Sequence, residues 1–418
     1  MAQLSDDCFA FGGTLLGIDA ALALIEARIA PVVDAETTPL AMAAGRILAG
    51  DLVATIDVPP HANSAVDGFA IAHADLLPDR ETVLPVGGRA AAGHPLDRAA
   101  QPGEAIRIFT GAPMPVGADT VMMQEDCVVE AGRVRLKPGL KKGANRRDAG
   151  EDVSRGSVAL AAGRRLKPAD LGLAAALGHD RLPVFRPLRA ALLSTGDEVR
   201  EPGTTLPEGA IYDANRHMLA ALLRGLGCVV SDLGIRPDRA AALADTLRAA
   251  SAGHDLIVTS GGVSTGEEDH VRAAIEKLGR LAFWRLAIKP GRPVALGLVG
   301  GVPLIGLPGN PVAAALTFAI LARPLIQRLG GAATAPPLTF PVNSGFAYRK
   351  KPGRREYLRA SLAREDGGVV ARRYPKDGAG ILSSIVQSDG FAILDESLSD
   401  IAAGTAIEFL PFSEVFGS

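Results

Sequence analysis

The stretch Asp255-Leu256-Ile257-Val258-Thr259-Ser260-Gly261-Gly262-Val263-Ser264-Thr265-Gly266 decides how the chain folds. It opens as an apolar run and breaks into glycines and hydroxyls. Glu267, Glu268 and Asp269 follow, and Val271 to Leu278 then takes up helical spacing. A short apolar run, a glycine-rich turn and an amphipathic helix spell strand, loop and helix of a βαβ unit. Further on, Val302-Pro303-Leu304-Ile305-Gly306-Leu307 feeds Pro308-Gly309-Asn310-Pro311 and a second apolar helix. Two strand ends thus deliver two small-residue loops, each to a helix start. Loops at the carboxyl ends of parallel strands are where α/β sheets bind ligands. Unpaired N–H groups at a helix start suit a phosphate or another oxyanion. The stretch predicts a crevice for an anionic ligand.

The same alternation extends on both sides. Ala190 to Ser194 reads as a strand, Asn215 to Leu226 as a helix, Cys228 to Leu233 as a strand and Arg239 to Ala250 as a helix. Alternating strands and helices predict a mostly parallel sheet with helices on both faces. Upstream, Ile18 to Ile29 has helical spacing, Pro39 to Leu48 reads as a second helical piece, and Pro168 to Leu177 as a third. Between them, from Ala54 to about Arg147, short apolar runs are cut by glycine and proline, the texture of an all-β insert. A linker at 330–337 precedes strand-like alternation in Tyr357 to Leu362 and Gly390 to Leu394.

At 418 residues the chain exceeds one ordinary core and predicts two to four domains. A formal net charge of −2 gives no electrostatic case for nucleic acid as a partner. Cys8, Cys127 and Cys228 are scattered and odd in number, which excludes a disulfide framework and a zinc ribbon. The N-terminus shows no basic-then-apolar signal segment. The longest apolar run, Val312 to Ala322, ends at Arg323-Pro324, too short to span a bilayer. These features predict a cytoplasmic protein with no membrane span.

Ser194-Thr195-Gly196-Asp197-Glu198 ends the first α/β strand and emerges on the same sheet edge as the loops at 260–269 and 306–311. Glu198 and Asp269 are therefore placed to face one another, and paired carboxylates beside an anionic ligand are a usual way to hold Mg²⁺. The 260–266 loop lacks the Lys-Ser/Thr ending of a P-loop and is not G-x-G-x-x-G. Lys289-Pro290-Gly291-Arg292 sets two cations around a turn, suited to phosphates or an oxyanion. No Gly-x-Ser-x-Gly occurs, so no serine-hydrolase elbow is available.

With Asn63-Ser64-Ala65-Val66-Asp67-Gly68, Thr110-Gly111-Ala112-Pro113, Ile211 to Asn215 and Ala282 to Gly291, these motifs stand in a fixed order over residues 10 to 412. In that order the chain resembles the MoeA family of molybdopterin molybdenumtransferases, related to the E domain of gephyrin. The resemblance implies a split N-terminal domain (10–52 and 152–188), a β-rich insert (53–151), a molybdopterin-binding α/β domain (189–332) and a C-terminal β-barrel-like domain (333–418). It implies a homodimer that inserts molybdate into adenylyl-molybdopterin with Mg²⁺, releasing AMP and molybdenum cofactor. A molybdopterin adenylyltransferase would supply it and molybdoenzymes would receive the product. A tungstate-inserting or other molybdopterin-processing homologue and a non-catalytic pterin-binding scaffold are the alternatives.

Residue by residue, the resemblance implies that Asp67 and Thr110 reach the site from the partner subunit's insert. Glu198 and Asp269 match the family's essential acids and metal carboxylates, and Asp238 falls near a further acid. Ser260, Gly261, Gly262, Ser264, Gly266, Pro308, Gly309 and Asn310 would line the pterin site. Lys289 and Arg292 match its cations, and Arg354 with Ser383 or Ser384 the C-terminal contacts to molybdate. Two departures stand out. Arg292 occurs where many members carry Lys, and Ala313 where many carry Ser.

Overall fold

A computed structural model describes residues 15–261, 270–291, 293–365 and 368–417. Its centre is a six-stranded sheet. The strand order is Val229–Arg236, Arg189–Thr195, Leu256–Ser260, Val302–Leu307, Pro293–Val299, Gly279–Arg285. The first four run parallel, and Pro293–Val299 is antiparallel to both of its neighbours. Parallel strands with both faces covered read as continuous apolar runs. In Arg189–Thr195, Ala190 and Leu192 join one core while Ala191 and Leu193 join the other. One face is covered by Ala240–Gly253 and His270–Leu278. The other packs against Ala214–Gly225, Pro311–Leu329 and Ile18–Arg28. The antiparallel edge arises at Gly300-Gly301, whose φ values of 57° and 81° suit a two-residue hairpin between strands.

Two sequence expectations are corrected. Pro39 to Leu48 is not a helix. Ala35–Pro39 and Ile47–Leu48 are strands on either side of Arg181–Phe185, joined by a short 3₁₀ turn at Leu40–Met42. Pairing with a strand far along the chain overrides the helical propensity of Leu-Ala-Met-Ala-Ala. The apolar run Val312 to Ala322, read as too short to span a bilayer, is part of a longer helix that continues through Arg323-Pro324 to Leu329. A π-helical turn at Phe318–Ala322, closed by Arg323 N–H to Phe318 O, widens the backbone just before Pro324. That spares the proline ring the clash it makes in a regular helix. The resulting 19 residues are long and apolar enough to cross a membrane, but 78% of that window is buried in this fold. It is a core helix.

The insert holds a second six-stranded sheet over two small cores. One is built on Phe69, Ile71 and Val134, the other on Ile106, Ile108 and Val121. At the C-terminus, Arg355–Glu365, Gly368–Arg373, Phe340–Ser344, Ala406–Pro411 and Gly390–Leu394 pair in turn. The last pairs back with the first, closing a five-stranded barrel. Closure leaves no edge exposed within the ring. On its outside, Ile288–Lys289 adds in parallel to Arg355–Glu365, with Lys289 opposite Glu356. The barrel is thereby stitched to the α/β sheet.

Asp255 fastens the sheet to the preceding segment. Its buried carboxylate accepts from Arg186 at 2.7 and 2.9 Å and from the Arg189 N–H at 2.8 Å. Burial pushes this carboxyl up, but Arg186 and Arg189 more than reverse it and hold it at about 2. The folded value lies below the unfolded one near 3.9, so the stabilisation is complete above about pH 4 and fades as pH falls toward 2. Urea midpoints should show this. Asp255→Asn should lower stability at pH 7 by about 1–2 kcal/mol and flatten the loss between pH 4 and 2. Parallel pH profiles for the two proteins would refute the assignment.

Candidate functional site

The parallel strands set Ser194, Ser260 and Leu307 side by side at one sheet edge. The chain leaves that edge at 196–198, at Gly261 and at 308–310. Gly261 has φ +85°, and a Cβ there would lie 2.7 Å from Thr195 O. Only glycine lets the second loop pass this close to the first.

At the floor of the edge lie four hydroxyls. Ser194 Oγ, Thr195 Oγ1 and Thr259 Oγ1 are buried without a hydrogen-bond partner among the described residues. The fourth, Ser260 Oγ, accepts from Asn215 Nδ2 at 2.9 Å, and the same nitrogen donates to Gly309 O at 2.7 Å. Asn215 therefore clamps the second loop to the third. A buried hydroxyl with no partner costs free energy, and strand alternation sends Ser194 to one face of the sheet end and Thr195 and Thr259 to the other, so polar atoms are wanted on both sides of it.

Asn215 is fixed by its own helix start. Asp213 caps that helix, accepting from the Arg216 N–H at 3.1 Å. The buried Arg216 guanidinium binds Asp213, Asp232 and Glu201 in turn. Sequence reasoning quoted Asp213 and Asn215 but missed this arginine. The Asp-x-x-Arg spacing over a helix start was the available signal.

Lys289 lies on the short strand that joins the barrel to the α/β sheet. Its Nζ donates to Glu356 Oε2 at 3.0 Å and to Tyr348 Oη at 3.2 Å. Tyr348 Oη in turn donates to the same Glu356 oxygen at 2.9 Å. Burial pulls the ammonium down, but Glu356 and Tyr348 more than compensate and raise it above the ordinary lysine value. The turn at Gly291 lies against Ala313 and Thr317 of the long core helix. Residue 313 therefore offers a buried methyl there and no hydroxyl.

The barrel contributes a loop across the start of that helix. Val312 N–H donates to Ala379 O at 2.9 Å, and Gly380 passes beside Asn310. Buried Arg359 holds this loop through Ser384 Oγ, at 3.0 Å, and through the Lys376 and Gly378 carbonyls. The structure separates the two serines. Ser384 is buried and donates to Ile381 O at 2.6 Å, whereas Ser383 is exposed beside Tyr374. Arg354 is half-buried, and Arg355 beside it pairs with Asp19 and Glu396.

Glu198 is exposed at the crevice mouth, with its carboxylate near Gly196. Asp238 follows the Val229–Arg236 strand, where Arg236 pairs with Thr195, and so lies at the same edge. Gly262, Ser264, Gly266, Asp269 and Arg292 lie outside the described residues. Among the described residues no three His, Cys, Asp or Glu side chains form a metal cluster. An exposed carboxylate over a hydroxyl-lined floor suits a largely hydrated Mg²⁺ rather than a caged ion. Burial pushes the Cys127 and Cys228 thiols up to about 11 and about 12, far from a nucleophile's range.

Asp67 and Thr110 meet in the insert. Asp67 Oδ1 accepts from the Thr110 N–H and from its hydroxyl, both at 2.8 Å. The Thr110 N–H, then its hydroxyl, hold the Asp67 carboxyl below the usual carboxylate range. Among the described residues, no hydrogen bond or ion pair joins this pair to the crevice of its own chain.

The chain matches three family descriptions in order. They are the MoeA N-terminal region (domain I and II) over residues 16–178, a probable molybdopterin binding domain over 191–328, and the MoeA C-terminal region (domain IV) over 341–412. It is 39% identical to the molybdopterin molybdenumtransferase of Haemophilus influenzae over 90% of this chain and 93% of that one. To the molybdopterin molybdenumtransferase of Synechococcus elongatus it is 36% identical, over 94% and 99%. A crystal structure of the molybdopterin biosynthesis moeA protein from Pyrococcus horikoshii superposes with TM-score 0.80 at 28% identity, covering 95% and 100%.

Proposed function

The chain belongs to the MoeA family of molybdenum cofactor biosynthesis, and from that premise we propose that it is a molybdopterin molybdenumtransferase. It takes adenylyl-molybdopterin and molybdate, cleaves the phosphoanhydride with water, and yields AMP and the dithiolene-bound metal. The observation that carries this reading is the convergence at one sheet edge. Three strand ends and buried hydroxyls without a partner among the described residues lie there, the barrel's loop crosses the adjoining helix start at Val312, and the turn after Lys289 packs on the same helix through Gly291.

The chemical problem is repulsion, because dithiolene, phosphoanhydride and molybdate are all anionic. Lys289, with Arg292 and Arg354, would offset the oxyanion's charge. Ser194, Thr195 and Thr259 would donate to phosphate or pterin oxygens, and the Asn310 helix start adds N–H groups. Glu198 and Asp269 would hold Mg²⁺, which lowers the charge on the phosphoanhydride. Ser383, rather than Ser384, is the serine free to touch molybdate. The pair Asp67 and Thr110 would complete the site from the partner subunit, so the active form is a homodimer. The division into 10–52 with 152–188, 53–151, 189–332 and 333–418 belongs to the same reading. So do a cytoplasmic location, an adenylyltransferase upstream and molybdoenzyme acceptors downstream.

The test is turnover. Purified protein is given adenylyl-molybdopterin, Mg²⁺ and either molybdate or tungstate, and AMP and pterin-bound metal are both quantified. AMP release coupled to metal incorporation is expected, and the two tetrahedral dianions are ranked in the same assay. Tight pterin binding with neither product would overturn the transferase reading in favour of a scaffold.

A further inference from the structure

Lys289 does not present a bare charge. Its ammonium is half-exposed, yet it is paired with a carboxylate that is almost fully buried, and the two are brought opposite each other by the strand that stitches barrel to sheet. Glu356 Oε2 takes both Lys289 Nζ and Tyr348 Oη, so one oxygen organises the whole triad. The Tyr348 ring is also crowded by cations, with Arg373 at 5.1 Å and Lys289 at 5.9 Å from its centroid. An anion approaching Lys289 therefore meets a lysine whose charge is already balanced and whose donors are partly taken.

We propose that Glu356, seconded by Tyr348, tempers the Lys289 cation so that the oxyanion is held loosely enough to be passed to the dithiolene. The inference rests on Lys289 facing the oxyanion in the reaction proposed above. The logic is Coulombic. A dianion gains from the lysine but loses to the carboxylate 3.0 Å behind it, and the difference sets the affinity. A site built for maximal binding would leave the lysine unpaired. One that must transfer its ligand gains nothing from binding the ground state tightly.

The prediction has an unusual sign. Glu356→Gln keeps the shape and still accepts from Lys289 and Tyr348, but removes the charge. The dissociation constant for molybdate, measured by equilibrium dialysis on the full chain, should fall about tenfold. The kcat should fall with KM for molybdate, since the metal leaves more slowly. Tyr348→Phe frees one lysine donor and keeps the ion pair, so it should tighten molybdate about threefold in the same direction. It also serves if the Gln variant folds poorly. Damage to the domain junction would weaken binding, not strengthen it. Unchanged or weaker molybdate binding in Tyr348→Phe, or in a folded Glu356→Gln, beside a wild type that turns over, overturns the tempering role. A wild type that neither binds molybdate nor releases AMP would instead overturn the transferase reading.

Discussion

Mixing Asp67→Asn chains with Glu198→Gln chains, each nearly inactive alone, should restore about a quarter of wild-type turnover. The number follows from symmetry. Random re-pairing makes half of the dimers mixed, and each mixed dimer has one site carrying both substitutions and one carrying neither. Each single substitution should cost about 10²- to 10³-fold in kcat, because it removes a charge aimed at the reacting phosphate and metal. The expectation of a shared site comes from the family resemblance, and the pair's isolation agrees with it. Asp67 and Thr110 are held together by two 2.8 Å bonds but have no bond to the crevice of their own chain among the described residues. Re-pairing is achieved by co-expression of two tagged chains; the unfractionated mixture should show about a quarter of wild-type turnover, and the mixed dimer isolated through both tags about half. A mixed dimer that stays inactive would place both residues in one chain's site and end the shared-site reading.

What the sequence could and could not reveal follows from the range of the interactions. The parallel strands were legible because their burial on both faces forces continuous apolar runs, as in Leu256–Ser260. The loops were legible too, since Gly261 must be glycine to clear Thr195. The antiparallel edge was available in Gly300-Gly301 and went unread. Other features depend on partners far away in the chain. Ile47–Leu48 is a strand because Arg181–Phe185 lies beside it, and nothing local says so. The continuation of the helix past Pro324 depends on a π turn that has no sequence mark. The Lys289–Glu356 pair spans 67 positions and exists only through a parallel strand added to a closed barrel. Function was more legible than its supports. Residues that touch ligands sit in short motifs, whereas residues that hold them are chosen by the fold.

Arg216 is the sharpest case of such a support, and removing it should destabilise the α/β domain by about 3–5 kcal/mol. Its guanidinium is buried and ringed by Asp213, Asp232 and Glu201; burial pushes it down, but Asp232 and Asp213 more than reverse this and raise it above the normal arginine value. Arg216→Met fills much of the volume but leaves three carboxylates facing one another, Asp213 among them fully buried. Glu201 is half-exposed and can turn to solvent, so the lower end of the range is expected. The cost should also depend on pH with a definite sign. Burial pushes the Asp232 carboxyl up, and Arg216, followed by the Gly234 N–H, brings it below the usual range. Without Arg216 that depression is lost and repulsion remains, so the deficit should be largest at pH 7 and shrink as the pH falls toward 4. Adding Asp213→Asn to Arg216→Met should recover part of the loss, whereas a packing defect would not respond to the second change. The site should feel it as well, because Asn215 occupies the same helical turn and clamps Ser260 to Gly309. Arg216→Met should therefore weaken binding of the adenylylated pterin even at temperatures where the protein remains folded. Urea midpoints equal to wild type at pH 7 would show that the three carboxylates need no common cation.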